Sequence, residues 1–523
     1  MSSEPLSPVM PDERIEALDV VRGFALIGIF LMNVEFFNRS IRGIEEGMPV
    51  GLTGINWLAS WFVAYFVQGK FWTIFSLLFG MGFAVMLSRA ERTERPFIAP
   101  YLRRTLALAV FGTLHFILLW TGDILFSYAV GAAGLLVLLY GRWKWITLAL
   151  IALLGLGFVP ALRAAWAVGG SLAFISLLAI YLRSEKKVAR LPVFSFIYAI
   201  LATLGAILSI ILWVLPDVPT EGRIIVTTIA AFLLATAVLS ARYHDPVERR
   251  GLRMGTAIYV AVALMMTVIG VAQYVSPPNP EDAVAEAKQL ERATDEVRIL
   301  STGTYAEAVE MRAGEFPNRI ANEAGFSVIV IGMFLIGVWF VRSGVMMDTR
   351  AHLRLFRRLA CYGLPIGLGL GLLGSLIATS HTPGDSADGF QLARALSMLG
   401  SLPACLGYVG LVVVALHSNS VFARIRVLAP VGRMALTSYL TQTLVSTFVF
   451  YGYGAGQWGL ARSWQIVYVA GVFALQVVFS HWWLARFRYG PMEWLWRAFT
   501  YLKLPAMRLS TTTSPSEAVS TTT

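Results

Sequence analysis

Charge is scarce in this chain: 14% of its 523 residues are Asp, Glu, Lys or Arg, against 57% hydrophobic residues and a mean hydropathy of +0.67. So little charge excludes an ordinary soluble domain. Cysteine is scarcer still, with two in all, Cys361 and Cys405, both inside apolar runs. No disulfide framework is encoded. Histidine numbers six, and no two stand at a metal-ligand spacing, so no metal is expected. The apolar runs also lack the alternation of a membrane strand, which excludes a barrel. The N-terminus, MSSEPLSPVMPDERIEALD, shows no small-residue cleavage site after its first apolar run, so the first helix is expected to stay as an anchor. A net charge of +11 suggests nucleic acid at first sight, yet the basic residues cap apolar runs instead of covering one soluble face. The partner implied is the lipid bilayer, with no nucleic acid.

What is there is a series of continuous apolar runs. Between Arg104 and Asp123 lie 18 residues without a formal charge, and at about 1.5 Å per helical residue such a run crosses a hydrocarbon core of roughly 30 Å. The fold class expected is all-α, a polytopic transmembrane helical bundle of about 14 spans. We place them at 18–37, 71–88, 104–122, 124–141, 144–162, 167–183, 193–215, 224–241, 254–275, 325–342, 359–380, 393–416, 428–451 and 464–485. With both termini cytoplasmic, the segments on that side are basic, among them SRAERTERPFIAPYLRR and ARYHDPVERRGLR. The other side receives TSHTPGDSADG and a loop over 276–324 with ten acidic and five basic residues. This is the positive-inside pattern of a cell inner membrane.

One apolar stretch fits the scheme only as an accessory. Residues 55–68 abut the next span with too little chain between for a hairpin, so they read as an interfacial lead-in or the outer part of one long tilted helix. The loop 276–324 is rich in Ala and Glu at helical spacing and is expected to be helical. The polar tail over 509–523 is expected to be disordered. The domain organisation follows: an N-terminal membrane region over 1–142, a block of about four helices over 143–250, a C-terminal membrane region over 251–508, and the tail.

Ionisable and amide side chains inside the runs are the candidates for chemistry, because burying them in hydrocarbon is costly. His115 stands alone in an uncharged run that Asp123 ends eight residues later. Along an unbroken helix that separation is about 12 Å, and Gly122 is the expected break, so the two need not touch. His115 is placed about 10 Å below the outer end of its span, where a neutral imidazole accepts a proton from a hydroxyl or amine. The plain alternative is a polar contact between helices. Asp123 equally suits the N-terminus of the following helix as a cap. On the first helix Asp19 and Arg22 sit three apart and can pair, which lets the helix start among headgroups, or Arg22 is free to hold a phosphate. Asn33, eleven residues after Arg22, falls on nearly the same face, as helix glue or as a hydrogen-bond donor at a site. A third polar cluster, Thr437, Ser438, Tyr439, Thr441 and Gln442, lies in the single run GRMALTSYLTQTL and either lines a cavity or stitches helices. The glycines of FYGYGAGQWG follow no strand, so they mark a loop and not a nucleotide fingerprint.

The segments ERIEALDVVRGFALIGIFLMNV, FWTIFSLLFGMGFAVML, LHFILLWTGDILFSYAVGAAGLL, GRMALTSYLTQTLVSTFVFYGYG and FRYGPMEWLWR, in this order, resemble the YeiB-like bacterial membrane proteins of domain-of-unknown-function family 418. Members of that family look like proteins of about ten spans, so the resemblance marks 143–250 as an added block of about four. More distantly the chain is similar to transmembrane acyltransferases, which move an acyl group from a cytoplasmic donor to an acceptor on the other face. In the opening helix of one of these, an asparagine at the position matching Asn33 lies in the active site, and the histidine that accompanies it there has no counterpart between Asn33 and the second span. His115 is the candidate to replace it.

Two functions are therefore expected to compete. In the first, acyl transfer, Arg22 holds the phosphate of an acyl-CoA donor, His115 is general base, Asn33 stabilises the oxyanion and Asp123 orients or binds the acceptor. Arg89, Arg103 and Arg104 complete a cytoplasmic basic pocket. In the second, Asp123, His115 and Glu35 serve a secondary transporter of a small solute. A sensor or assembly role without turnover is the remaining class.

Overall fold

The computed structural model describes residues 14–40, 47–159, 162–216, 218–275, 280–379, 381 and 389–509. The chain opens with α1 (Glu16–Phe36), followed by α2 (Gly54–Phe62) and α3 (Lys70–Arg92). Next come α4 (Ile98–Leu118), α5 (Leu125–Tyr140), α6 (Trp143–Leu156), α7 (Ala164–Arg183), α8 (Val193–Val214) and α9 (Thr220–Arg242). The remainder is α10 (Arg250–Val275), α11 (Pro280–Thr302), α12 (Tyr305–Arg342), α13 (Leu353–Ala378) and α14 (Phe390–Leu416), then α15 (Ala429–Arg433), α16 (Ala435–Phe450), α17 (Arg462–Leu484) and α18 (Pro491–Tyr501). The strand content among the described residues is a two-residue hairpin, Lys187–Val188 with Leu191–Pro192. The protein is an all-α polytopic membrane bundle. Among the described residues eleven helical stretches are long and apolar enough to span a membrane, and the shorter α5, α6 and α16 account for the other three expected runs.

Local chemistry explains where the runs break. Residues 54–67 form α2 and a π-helical turn, Val63–Val67, and Gly69 at φ +81° then redirects the chain into α3, so this stretch is the bent first part of one composite apolar helix. The expected span 428–451 is split at Met434, giving α15 and α16. From Pro280 on, the expected outer loop is helical, as α11 and the first half of α12; residues 276–279 lie outside the described residues. Thr304 accepts from the Glu307 amide while the Glu307 carboxylate accepts from the Thr304 amide, a capping box that starts α12. At 38 residues α12 is about 57 Å long, so its first half extends beyond the apolar stretch 325–342. The tail from 510 lies outside the described residues.

The bundle packs through small residues. A Cβ on Gly80 would strike the Phe334 carbonyl, and one on Gly337 the Leu77 carbonyl, so α3 and α12 cross at backbone contact. The central span α1 is 72% buried, whereas α8 and α9 are each 17% buried and pair mainly with each other. Residues 143–242 therefore form a peripheral flank, joined to the centre through α7 against α5 and α12. The site lies among α1, α4, α5, α12 and α16.

Candidate functional site

His115 occupies the last turn of α4, which ends at Leu118, four residues before the expected break at Gly122. Both Leu119 and Trp120 return their amides to the His115 carbonyl, and the chain then folds back through 121–124. The consequence corrects the sequence reading: His115 and Asp123 do touch, with Nδ1 2.8 Å from Oδ1. Gly112 makes this possible, since a Cβ there would strike the Phe126 backbone and crowd Asp123 Oδ2. Asp123 also caps α5, its Oδ2 accepting from the Phe126 amide at 2.7 Å. Cap and histidine partner are thus one side chain. With Nδ1–H donating to the carboxylate, Nε2 is left as an acceptor, and 3.0 Å from it stands the hydroxyl of Thr443 on α16. All three side chains are almost fully buried.

Nothing in the sequence singles out Thr443, one hydroxyl among many in its run. Its one available signal is position: it falls one turn after Tyr439, on the same face of α16. The tyrosine ring lies 5.2 Å from the imidazole. The other polar residues of that run stitch helices. Gln442 donates to Gln476 Oε1 at 2.9 Å, while Gln476 donates to the Ser438 carbonyl and Thr441 Oγ.

The extended half of α12 straps this layer from one end. Arg319 donates to the Asp123 carbonyl at 2.8 Å and to Ser127 Oγ at 2.7 Å, and it pairs with Glu323, whose Oε1 also accepts from Ser127. Buried Arg312 donates to the carbonyls of Ile117 and Leu118 at the end of α4. These bonds hold the fold-back that keeps Asp123 on His115.

From the opposite, basic end a cavity of about 250 Å³ runs into the bundle. Its mouth carries Arg14, Arg22, Arg89, Arg104, Arg433 and Arg497 against two carboxylates, Asp19 and Glu493. Arg22 pairs with Asp19 at 3.1 Å. Burial and the neighbouring Arg433 pull Arg14 down to about 10, still charged at neutral pH. Deeper in, the walls are apolar, formed by Ile29, Phe75, Phe79 and Leu125, and Tyr128 and Tyr439 line the inner part. Tyr439 is therefore shared, with one side on the cavity and the other toward His115.

Of the expected site residues, Arg22 lines the mouth, and His115 and Asp123 meet beyond the inner end. Asn33 is buried one turn past Ile29 on α1, in the layer beyond the cavity, and makes no hydrogen bond to His115. Arg89 and Arg104 join the basic mouth; Arg103 instead donates to the Thr500 carbonyl. Glu35 lies away from this set, paired with Arg39 and Arg462. Among the described residues no group of three His, Cys, Asp or Glu side chains is placed to hold a metal.

Comparison with known proteins gives a consistent relationship. The chain is 28% identical to YxaH of Bacillus subtilis, over 95% of this chain and 96% of that protein. It is 26% identical to YeiB of Escherichia coli, over 93% and 96%. A 39.9 kDa protein from Bacillus acidopullulyticus is 33% identical over 208 residues, 39% of this chain and 57% of its own. No solved structure matches. Residues 340–503 match the family model described as "Protein of unknown function (DUF418)", so over this C-terminal part the chain is similar to that family.

Proposed function

We propose that this protein transfers an acyl group from a cytoplasmic acyl-CoA to an acceptor presented from the other face of a bacterial inner membrane. The observation that carries the reading is the cavity: an arginine-rich mouth leads into an apolar interior that stops at Tyr439, directly against His115. Guanidinium groups suit the phosphates of the donor, and the apolar walls suit its acyl chain. Arg22 serves as one of the phosphate ligands. Positive-inside bias supports a mouth and termini on the cytoplasmic side. Beyond Tyr439, His115 has the arrangement of a general base, with Asp123 fixing its tautomer and Nε2 facing a hydroxyl. Asn33 offers an amide to the developing oxyanion from α1. Burial keeps water from competing for the acyl group.

The test is incubation of purified protein in detergent with radiolabelled acetyl-CoA and an extract of bacterial envelope lipids and glycans. We expect label in a non-protein acceptor, reduced by about 10²- to 10⁴-fold in His115→Ala. Uptake of solute by vesicles with no label transferred would instead establish the transporter reading.

A further inference from the structure

We infer that Thr443 is a nucleophile that carries the acyl group covalently, so that transfer proceeds through an acyl-threonine. The inference rests on the acyl-transfer reading. It starts from a constellation drawn from three separate elements: Asp123 Oδ1 lies 2.8 Å from His115 Nδ1, and His115 Nε2 lies 3.0 Å from Thr443 Oγ. Hydroxyl, imidazole and carboxylate in that order make up the machinery that activates an alcohol. In the neutral imidazole whose Nδ1–H donates to the carboxylate, Nε2 accepts from Thr443, whose other contact, to the Tyr439 carbonyl, is longer at 3.4 Å. The carboxylate is itself held in place, by the Phe126 amide on Oδ2 and by Arg319 on the Asp123 carbonyl, so the imidazole is fixed with Nε2 toward Thr443.

A second observation points to the same spot. Tyr439, one turn before Thr443, is buried, lines the cavity, and has no acceptor for its hydroxyl proton, although its oxygen faces the Ile124 backbone amide. An unsatisfied buried donor is costly, and it is retained most simply where charge develops during reaction. Tyr439 is thereby placed, between cavity and histidine, as a donor to the oxyanion.

The step balances. Thr443 Oγ gives its proton to His115 Nε2 and attacks the thioester carbonyl carbon; the carbon–sulfur bond breaks, and the thiolate takes the proton from Nε2 and leaves as free thiol. An acceptor hydroxyl then gives its proton to Nε2 and attacks the acyl ester, and the Thr443 oxygen recovers that proton as it leaves.

The experiment uses the full-length protein in detergent with two probes, radiolabelled acetyl-CoA and an alkyl fluorophosphonate, which labels activated hydroxyls without needing the natural donor. Peptide mass mapping is expected to place both labels on Thr443, with labelling lost in Thr443→Val and His115→Ala and kept in Thr443→Ser, which also shows that the site folds. Steady-state transfer is expected to fall by about 10³-fold or more in Thr443→Val. Fluorophosphonate on Thr443 without acetyl label would uphold the nucleophile and overturn the thioester donor. Transfer that persists in Thr443→Val would overturn the covalent step while leaving acyl transfer intact. No label from either probe in protein shown folded by its melting transition would overturn both.

Discussion

At the scale of single residues, Asp123 does three things from one position: it accepts from His115, caps α5 through Phe126, and offers its carbonyl to Arg319. Removing only its charge separates these roles. In Asp123→Asn the amide oxygen can still cap α5, but it no longer presents a carboxylate to Nδ1–H. We expect acyl transfer to fall by about 10²- to 10⁴-fold with a melting temperature close to wild type, read by the labelled-acetyl assay beside a thermal scan. How much of this was legible in the sequence depends on the kind of residue. His115 and Asp123 stood out because ionisable groups are conspicuous in an apolar run. Thr443 did not, because a threonine satisfies itself on a helix carbonyl at little cost and carries no such signal. Their contact was equally hidden: it depends on α4 ending at Leu118, and helix ends inside a long apolar run leave little trace in composition.

Among the elements, α12 and α18 position the site from its two ends. The length of α12 was readable only as an Ala- and Glu-rich loop beside an apolar run, and its strapping of the α4–α5 connection is a tertiary fact. At the basic end, Glu493 near the start of α18 accepts from the amides of Leu436 and Thr437 and from the Thr437 hydroxyl, closing the N-terminus of α16. Trp496 donates to the Arg104 carbonyl and stacks under its guanidinium at 4.0 Å, which fastens α18 to α4. Burial raises the Glu493 carboxyl above its ordinary value of 4.5. A carboxyl raised in the folded state contributes stability that is complete below its unfolded value and lost as pH rises through the folded one. Glu493→Gln removes that titration while keeping an acceptor for the two amides. Thermal scans from pH 4.5 upward are therefore expected to show Glu493→Gln gaining on wild type as pH rises, whereas Glu493→Ala, which orphans both amides, loses about 1–3 kcal/mol throughout.

Over the whole molecule the division of labour follows burial. The fourteen apolar runs were legible because hydrocarbon demands continuous apolar helices, and each run holds a helix, except that the run over 428–451 is split at Met434 into two. Which runs form the centre was not legible, since hydropathy is highest in α8, at 2.4, a helix only 17% buried. Lipid-facing residues are as apolar as core residues, and what separates them is small and polar side chains such as Gly80, Gly337 and the hydroxyls of α16. The resulting bundle is asymmetric along its axis, with an arginine-rich cavity at one end and a strapped, buried histidine beyond its floor. Under the acyl-transfer proposal, that asymmetry has the donor enter from one side only. Reconstitution into sealed vesicles of each orientation, with radiolabelled acetyl-CoA supplied to the exterior, tests it most directly. The account predicts acyl transfer only in vesicles that present the arginine mouth outward, lost in His115→Ala; equal transfer in both orientations, or transfer that survives that substitution, would contradict it.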